Sequence, residues 1–158
     1  GLPNRALFEA RLEQAIQAGR TRQERFALLY LDCDRFKQIN DNLGHAIGDE
    51  VLITLARRVQ HQLRPMDLVC RLGGDEFVVY LEQVADRQVA CRLAERLLAQ
   101  CQSQLLLEEL PVRIGMSIGI AFWSSRSVGY ELALDSADRA MYGAKQRGKL
   151  SYQLVDLG

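Results

Sequence analysis

Hydrophobic residues along this chain recur first at helical spacing and then in a nearly continuous run. Phe8, Leu12 and Ile16 lie four residues apart after Asn4, which predicts an amphipathic first helix capped by that asparagine. Residues 26–33 (FALLYLDC) are almost all apolar, which is typical of a strand buried on both faces at the centre of a sheet. The chain is therefore expected to begin with a surface helix that leads into a central strand.

Similar patterns predict the remaining elements. Apolar residues over 52–63 recur at i, i+3, i+4 and i+7, which indicates a helix that Pro65 ends. Asp49 and Glu50 are expected in its first turn, where the helix dipole favours acids, after a polar, glycine-bearing connection over 42–48. The other predicted elements are strands over 68–72 and 77–81, a helix over 86–103, a strand over 112–123, a helix with its inner stripe at Ala133, Ala137, Ala140, Met141 and Ala144 that Gly148 closes, and a short strand over 151–155.

The order of the elements predicts the fold class. After the first helix, the core reads β-α-α-β-β-α-β, followed by a last helix and a last strand. This order is close to the ferredoxin-like split βαβ arrangement of the α+β class, in which helices flank a central, mainly antiparallel sheet. With 158 residues and no internal repeat or linker, the whole chain, 1–158, is expected to form one domain.

The predicted hairpin carries two adjacent acids at its tip. Gly73 and Gly74 join its strands, because glycine enters a turn of positive φ without steric cost, and Asp75 and Glu76 follow directly. One interpretation is a surface turn whose two carboxylates remain hydrated and have no further role. The other brings both acids beside Asp32 at the end of the central strand. Three carboxylates from two strand ends would then offer the hard oxygen ligands that Mg²⁺ or Mn²⁺ prefers.

The amino-acid composition bears on which classes of partner the protein could bind. Lys and Arg together number 20, as do Asp and Glu, so no overall charge favours DNA, RNA or an acidic membrane. The four cysteines, Cys33, Cys70, Cys91 and Cys101, form no CxxC pair and lie in apolar runs, so buried thiols of a reducing cytoplasm are expected. No apolar run reaches the length of a membrane span, and no signal peptide is recognisable.

The segment RLGGDEF at 71–77 closely resembles the signature of the GGDEF family, the diguanylate cyclases, and other segments match over essentially the whole chain. The resemblance implies the palm-like fold of nucleotidyl cyclases and a cytoplasmic enzyme that condenses two GTP into cyclic di-GMP and pyrophosphate. The family usually carries a DxLTGLxNR segment where this chain begins with GLPNR. A domain excised from a longer protein is therefore expected. Its sensor or output domains would be missing, and membrane anchoring of the parent protein stays open.

The family resemblance implies roles for the acids near the hairpin tip. Asp32 and Asp75 would ligate Mg²⁺ or Mn²⁺ through their side chains, and Cys33 through its backbone carbonyl. Glu76 would either assist the metal or accept the proton of the attacking 3′-hydroxyl, and the sequence does not divide these roles between Asp75 and Glu76. Lys37 would neutralise charge that develops in the transition state.

Two segments are expected to bind the triphosphate. Backbone amides of Phe36 and Lys37, directly after the central strand, would cradle it as the amides of a turn do. Lys145, in AMYGAKQRGK, matches the lysine of the family's ADxAxYxAKxxGRN motif and would reach the phosphates. The chain departs from that motif where Lys149 and Leu150 replace the usual Arg-Asn. Lys149 keeps the positive charge but lacks the bidentate fork of arginine.

The segment INDNLGHAIGDEVL at 39–52 offers Asn40, His45 and Asp49 at the spacing of the family's guanine site. A carboxylate that accepts from the N1–H and N2–H₂ edge of guanine, with an amide beside it, discriminates against adenine. Each residue also has an ordinary interpretation, since Asn40 fits a turn, Asp49 the first turn of a helix and His45 a surface loop. All three residues occur together at the spacing of the family motif, and this favours guanine binding over the three separate interpretations.

Arg64 and Asp67 form an RxxD motif shortly before the hairpin. Its position resembles the family's product-inhibition site, in which an arginine and an aspartate bind cyclic di-GMP. Arg96, on the predicted helix over 86–103, is a candidate second arginine contact, although arginines are common on helix surfaces. The resemblance therefore implies an allosteric product site at Arg64, Asp67 and Arg96.

The first functional hypothesis is a diguanylate cyclase that works as a transient homodimer, because a product with two-fold symmetry requires two GTP-loaded sites to face one another. The main alternative is a catalytically weak domain that binds GTP or cyclic di-GMP and regulates an attached phosphodiesterase or other output domain. The intact GGDEF motif and Asp32 favour the enzyme, whereas Lys149 and the truncated start favour regulation. A different nucleotidyl cyclase or polymerase palm is a further alternative, which would make the guanine and RxxD registers coincidental.

Overall fold

The predicted apolar run forms the middle strand of a five-stranded sheet. The computed structural model describes residues 5–22, 25–102, 105–107, 110–112, 114–124, 129–148 and 151–158. The helices are α1 (Arg5–Arg22), α2 (Phe36–Leu43), α3 (His45–His61), α4 (Arg87–Gln102) and α5 (Tyr130–Arg147). The strands are β1 (Phe26–Asp34), β2 (Leu68–Gly73), β3 (Glu76–Leu81), β4 (Leu105–Leu107), β5 (Leu110–Val112), β6 (Gly115–Trp123) and β7 (Ser151–Asp156).

The sheet order places β1 between two antiparallel neighbours. The order is β2-β3-β1-β6-β7, in which only β6 and β7 pair in parallel. Every residue of β1 is buried, because helices cover both faces of the sheet. The predicted α+β class, with a ferredoxin-like core and a mainly antiparallel sheet flanked by helices, is confirmed.

Alternate residues of β1 belong to two hydrophobic cores on opposite faces of the sheet. Leu29 packs in the core that α3 and α4 cover. Tyr30 packs in the core that α1 and α5 cover. Since residues two apart in a strand share a face, Asp32 lies on the same face as Tyr30, and Cys33 on the same face as Leu29. This alternation decides which helix each functional side chain meets.

The loop predicted over 42–48 is wrong. Helices α2 and α3 occupy this stretch, and only Gly44 separates them. Gly44 has a φ of 91°, which suits glycine, and its N–H donates to the carbonyl of Asn40. The polar residues of this stretch lie on exposed helix faces, which is why the sequence resembles a loop. Asp49 and Glu50 consequently lie in the second turn of α3 and not in its first.

The strand predicted over 112–123 is confirmed over Gly115–Trp123, but its predicted start is wrong. Val112 belongs to β5, which pairs with β4 in a separate two-stranded sheet, whereas β6 begins at Gly115. Apolar residues continue across the junction, so the sequence pattern does not reveal that the pairing partner changes there. Pro111 is tolerated in β5 because a two-stranded sheet leaves one edge of each strand unpaired.

The glycine pair forms the turn of the β2–β3 hairpin, as predicted. Gly73 has a φ of 150° and Gly74 a φ of 51°, both in the range that favours glycine. The ladder register shifts between Arg71 and Gly73, so the β2 side of the turn carries an irregularity. Such irregularities bend a strand and redirect the side chains that follow it.

The predicted fourth helix is confirmed as α4, and Asp86 caps it. Asp86 Oδ1 accepts hydrogen bonds from the N–H groups of Gln88 at 2.9 Å and Val89 at 3.3 Å. The predicted cap Asn4 and the predicted helix end at residue 103 lie outside the described residues. No helix in the described part of the chain combines the length and apolar character needed to cross a membrane.

The four cysteines are free thiols. Cys33, Cys70 and Cys101 are buried, as predicted. Cys91 is only half-buried, since it lies at the margin of the core beneath α4.

Candidate active site

The end of β1 and the turn of the hairpin meet at one place. In the ladder between β1 and β3, Asp32 stands opposite Glu76. The N–H of Cys33 donates to the carbonyl of Asp75 at 3.2 Å, which ties the turn to β1. The structure therefore brings together the four residues that the sequence nominates around a metal.

Asp32 is a buried carboxylate whose two oxygens have different environments. Its Oδ2 accepts a hydrogen bond from Lys145 Nζ at 2.6 Å. Its Oδ1 is buried and has no hydrogen-bond partner among the described residues. An unsatisfied oxygen on a buried carboxylate is costly, so this position favours a cation.

Asp75 interacts directly with Asp32. Burial, then repulsion from Asp32 and a hydrogen bond between the two carboxyl groups, raises the pKa of Asp75 to about 6. Lys145, which donates to Asp32, offsets only part of this effect, since the pKa of Asp75 stays above its ordinary value. The pair therefore favours further positive charge at neutral pH.

These residues fit a hard divalent cation. The Asp32 and Asp75 carboxylates and the Cys33 carbonyl are the oxygen ligands that Mg²⁺ and Mn²⁺ take. Positive charge would relieve both the unpaired Oδ1 and the raised pKa of Asp75. Within the described ranges, no three His, Cys, Asp or Glu side chains are grouped to hold a metal on their own. Mg²⁺ sites of this kind commonly complete their coordination with water and substrate phosphates.

Glu76 contacts Tyr30, a residue that sequence reasoning missed. Tyr30 Oη donates to Glu76 Oε2 at 2.5 Å. Burial, followed by this hydrogen bond, raises the pKa of Tyr30 above its ordinary value, so the phenol remains a donor. The signal in the sequence was the two-residue spacing from Asp32, which places both side chains on one face of β1.

Asp138 on α5 is a second missed residue. Burial, then repulsion from Glu76, raises the pKa of Asp138. Asp138 and Glu76 both line a cavity of about 760 Å³ between the hairpin turn, α1 and α5. The available signal was the seven-residue spacing from Lys145, which places both residues on one face of a helix.

Asp34 forms a buried contact between two strands. Ser117 Oγ donates to Asp34 at 3.0 Å and 3.3 Å to its two carboxylate oxygens, and both residues are buried. This contact joins β1 to β6 just below the carboxylates of the site.

Phe36 and Lys37 form the first turn of α2. Arg35 precedes them with a φ of 62°, so the chain turns sharply from β1 into the helix. The first N–H groups of a helix have no partners within it and favour an anion. The predicted phosphate cradle is therefore a helix N-terminus and not an isolated turn, and Lys37 is exposed beside it.

The three candidate guanine residues come from two adjacent helices. Asn40 lies on α2, and its side chain packs against α3, since a Cβ atom added to Gly48 would lie 1.8 Å from Asn40 Oδ1. Gly48 immediately precedes Asp49 in α3. The Asn40 amide, which packs against Gly48, therefore lies at the same turn of α3 as Asp49. His45 and Asp49 are exposed and four residues apart, which places them on one face of α3.

Arg64 and Asp67 bind each other. The Arg64 Nη2 and Nε groups donate to the Asp67 carboxylate at distances from 2.8 to 3.2 Å. The same guanidinium donates to the carbonyl of Glu82 at 2.6 Å. The Asp67 side chain is 3% exposed and that of Arg64 is 40% exposed. Binding of cyclic di-GMP through these groups thus requires their present contacts to open.

Arg96 lies near this pair. Its Nε donates to Gln62 Oε1 at 3.2 Å, and Gln62 is two residues before Arg64. Because Arg96 is exposed, its guanidinium is accessible on the α4 side of the RxxD motif.

Of the two lysines predicted to bind phosphate from the C-terminal part of the chain, Lys145 is among the described residues and Lys149 is not. Lys145 donates to Asp32, a contact that the sequence did not predict. Its role toward phosphates stays a prediction. Lys149 and Leu150 lie outside the described residues.

The chain is similar to known proteins over nearly its whole length. The family model described as "Diguanylate cyclase, GGDEF domain" matches residues 1–151. The diguanylate cyclase TpbB of Pseudomonas aeruginosa is 44% identical over 157 residues, which cover 99% of this chain and 36% of TpbB. The bifunctional diguanylate cyclase/cyclic di-GMP phosphodiesterase MucR of the same species is 42% identical over 153 residues, which cover 96% of this chain and 22% of MucR. The chain thus spans about a third or less of the length of these relatives.

Solved structures show the same fold. The crystal structure of the GGDEF domain of TpbB, also called YfiN, has a TM-score of 0.94 at 43% identity, covering 100% of this chain and 99% of that one. The GGDEF domain of DgcB from Caulobacter crescentus, in complex with c-di-GMP, has a TM-score of 0.86 at 26% identity, covering 98% of this chain and 91% of that one. With the family signature on the hairpin turn and the match running through nearly all of its length, the chain belongs to the GGDEF family of diguanylate cyclase domains.

Proposed function

We propose that the chain is a diguanylate cyclase that condenses two GTP into cyclic di-GMP and two pyrophosphates. The observation that carries the proposal is the convergence of Asp32 and Asp75 around a buried, unpaired carboxylate oxygen. TpbB, which is 44% identical over nearly the whole chain, is named a diguanylate cyclase, and this supports the proposal. The use of GTP places the reaction in the cytoplasm.

Two adjacent helices would select guanine. Asp49 would accept hydrogen bonds from the N1–H and N2–H₂ groups of the base, and Asn40 would bind beside it, with His45 nearby. The packing of Asn40 against Gly48 supports this arrangement, because it holds the amide next to the turn that carries Asp49. A site built to satisfy these donors rejects adenine, whose edge would leave them unpaired.

The triphosphate would bind between helix ends and lysines. The first amides of α2, at Phe36 and Lys37, would receive phosphate oxygens, and the Lys37 ammonium would neutralise charge that builds up during transfer. Lys145 and Lys149 would add positive charge from α5 and the residues after it. Lys145 would then exchange its contact with Asp32 for a phosphate once a metal neutralises Asp32.

The carboxylate cluster would carry the chemistry. Asp32, Asp75 and the Cys33 carbonyl would hold Mg²⁺ or Mn²⁺, which when bound supplies positive charge to the attacking and leaving oxygens of phosphoryl transfer. Each 3′-hydroxyl attacks the α-phosphorus of the other GTP, so that a new P–O bond forms and the bond to the β-phosphate breaks, releasing pyrophosphate. Glu76 would accept the proton that the hydroxyl loses or would assist the metal.

The product requires two copies of the chain. Cyclic di-GMP has two-fold symmetry, so two GTP-loaded sites must face one another in a transient homodimer. Proximity of the two bound nucleotides then contributes much of the rate enhancement.

Product inhibition would act through Arg64, Asp67 and Arg96. The complex of the DgcB domain with c-di-GMP supports binding of this nucleotide within the family. In this chain the Arg64–Asp67 contacts would have to open first, so inhibition is expected only at product concentrations high enough to compete with them.

The central test measures cyclic di-GMP by chromatography after incubation of the chain with GTP and Mg²⁺. The rate per chain should rise with protein concentration, because the active species is a dimer. Asp75→Asn should lower the rate about 10³-fold, which corresponds to about 4 kcal/mol of transition-state stabilisation. Asp41→Asn, which makes the same change at an exposed position of α2, should leave the rate unchanged.

The outcome that contradicts the enzyme is GTP binding without turnover, even when fusion to a dimeric coiled coil forces two chains together. That result would favour a regulatory domain. Cyclic di-GMP binding that survives Asp75→Asn but not Arg64→Ala, again without turnover, would favour a product receptor.

A further inference from the structure

Tyr30 provides a fixed hydrogen-bond donor beneath the turn of the hairpin. It lies on β1 two residues before Asp32 and is 7% exposed. In the ladder with β3, Tyr30 stands opposite Val78 and Asp32 stands opposite Glu76. The bond from Tyr30 Oη to Glu76 Oε2, at 2.5 Å, therefore crosses the diagonal between neighbouring pairs of two strands.

The ring of Tyr30 has little freedom to move. It is buried in the core that α1 and α5 cover, with apolar partners from both helices and from β3. A tyrosine has only two side-chain torsions, and burial of the ring in this core restricts both. The position of the hydroxyl is consequently set by the sheet and the core and not by the hairpin turn.

The Glu76 carboxylate, by contrast, has few constraints of its own. Among the described residues, the hydrogen bond from Tyr30 is the only one that reaches its side chain. Asp138 repels it, and Arg5, which lines the same cavity, pairs with Glu9. Without Tyr30, three flexible torsions and this repulsion would decide where the carboxylate lies.

We propose that Tyr30 is a positioning residue, whose hydroxyl holds the Glu76 carboxylate beside the Asp32–Asp75 pair in the orientation that the reaction uses. The inference rests on the proposed function, because it deepens the role of Glu76 in that site. The bond occupies Oε2 and leaves Oε1 to act on a metal or on the proton of the 3′-hydroxyl. Hydrogen bonds that orient a ligating carboxylate commonly change metal affinity or activity 10- to 100-fold when they are removed.

The variant Tyr30→Phe removes the donor and keeps the ring. We expect Mn²⁺ to bind about 10- to 100-fold more weakly to the variant loaded with a non-hydrolysable GTP analogue, as measured by electron paramagnetic resonance. In turnover assays at saturating Mg²⁺, kcat should fall about tenfold or more. The KM for GTP should stay within about twofold, because the guanine and phosphate groups lie on other elements.

A second tyrosine offers a matched control. Tyr152 on β7 also donates to a glutamate, Glu95 on α4, at 3.0 Å. This contact lies on the opposite face of the sheet from Tyr30. Tyr152→Phe removes the same kind of hydrogen bond and should leave Mn²⁺ affinity, kcat and KM unchanged.

A double-mutant cycle separates positioning from a loss of folding. Glu76→Ala removes the whole carboxylate that Tyr30 is proposed to hold, so adding Tyr30→Phe to it should cause no further loss of Mn²⁺ affinity or of kcat. Additive losses in the double variant would contradict the proposal, since Tyr30 would then act through something else. Urea unfolding of each variant shows whether it is folded in the assays.

The two proposals fail in different ways. If the wild-type chain makes no cyclic di-GMP, the proposed function is wrong, but the Mn²⁺ affinities still decide whether Tyr30 acts on Glu76. If the wild-type chain is active and Tyr30→Phe matches it in both Mn²⁺ affinity and kcat, only the positioning role is wrong. If Glu76→Ala leaves both Mn²⁺ affinity and kcat unchanged, the positioning role is also wrong, because Glu76 then acts neither on the metal nor on the proton.

Discussion

The two ends of the β2–β3 hairpin present opposite electrostatic arrangements. Before β2, Arg64 and Asp67 pair with each other, and Arg64 also donates to the carbonyl of Glu82. At the turn, Asp75 interacts with Asp32, and its pKa rises to about 6 because of burial and this repulsion. The chain satisfies the charges at the first end, whereas at the second end one lysine, Lys145, contacts Asp32 and leaves the repulsion between the two acids only partly offset.

The difference shows which end supports the fold and which end supports chemistry. A buried charge that the chain pairs itself holds two segments together. A buried acid without enough positive charge destabilises the fold, and such departures from the usual rules are concentrated at functional sites. Because the six residues of β2 connect the two ends, one hairpin serves both purposes.

The largest expected effect on stability comes from the satisfied end. Arg64→Ala should lower the free energy of unfolding by about 2–3 kcal/mol, because it leaves the buried carboxylate of Asp67 without its guanidinium. Urea denaturation provides the measurement. Arg139→Ala is the matched control, since its pair with Asp135 is exposed at 80% and 53% of the two side chains and should matter by less than about 0.5 kcal/mol. Equal losses of unfolding free energy in both variants would mean that the Arg64–Asp67 pair stabilises the fold no more than an exposed pair does.

A smaller effect is expected at Lys145, the one cation that the described residues place on Asp32. Lys145→Met should lower the free energy of unfolding by about 1–2 kcal/mol in EDTA, because Asp32 then has no countercharge. Added Mn²⁺ should raise the melting temperature more in this variant than in the wild-type chain, as measured by calorimetry. A melting temperature in EDTA that equals the wild-type value would show that Asp32 does not need the lysine.

The smallest effect has the opposite sign. Asp75→Asn should stabilise the metal-free chain at pH 8 by up to about 1 kcal/mol, a value reduced for the exposure of this carboxyl group. The folded-state pKa, about 6, lies above the ordinary value of 3.8, so the folded chain binds the proton more tightly than the unfolded chain does. This contribution is therefore present below pH 3.8 and is lost as the pH rises through about 6.

Unfolding measured between pH 5 and pH 8 in EDTA tests this sign. The gain from Asp75→Asn should grow with pH across that interval, while Asp41→Asn on the exposed face of α2 should show no such growth. A loss of stability in Asp75→Asn at pH 8 would mean that the turn, like the other end of the hairpin, is held together by its charges.

Local patterns in the sequence were sufficient to predict most elements. A continuous apolar run predicted β1, a glycine pair predicted the turn of the hairpin, and a period of 3.6 residues predicted α5, and the structure contains all three. The errors arose where two elements meet without a clear break. Gly44 alone separates α2 from α3, and the change of partner between β5 and β6 leaves the apolar pattern intact.

The sequence by itself determined which acids were candidates for the site, since Asp32 follows an apolar run in β1 and Asp75 and Glu76 follow a glycine pair. Only the tertiary structure decided which of these acids have partners. Lys145 and Asp32 are 113 residues apart along the chain, and Tyr30 reaches Glu76 only because of the register between β1 and β3. Charge and hydrogen bonding depend on distances of a few ångströms between side chains, and local sequence periodicity contains no information about contacts between distant segments.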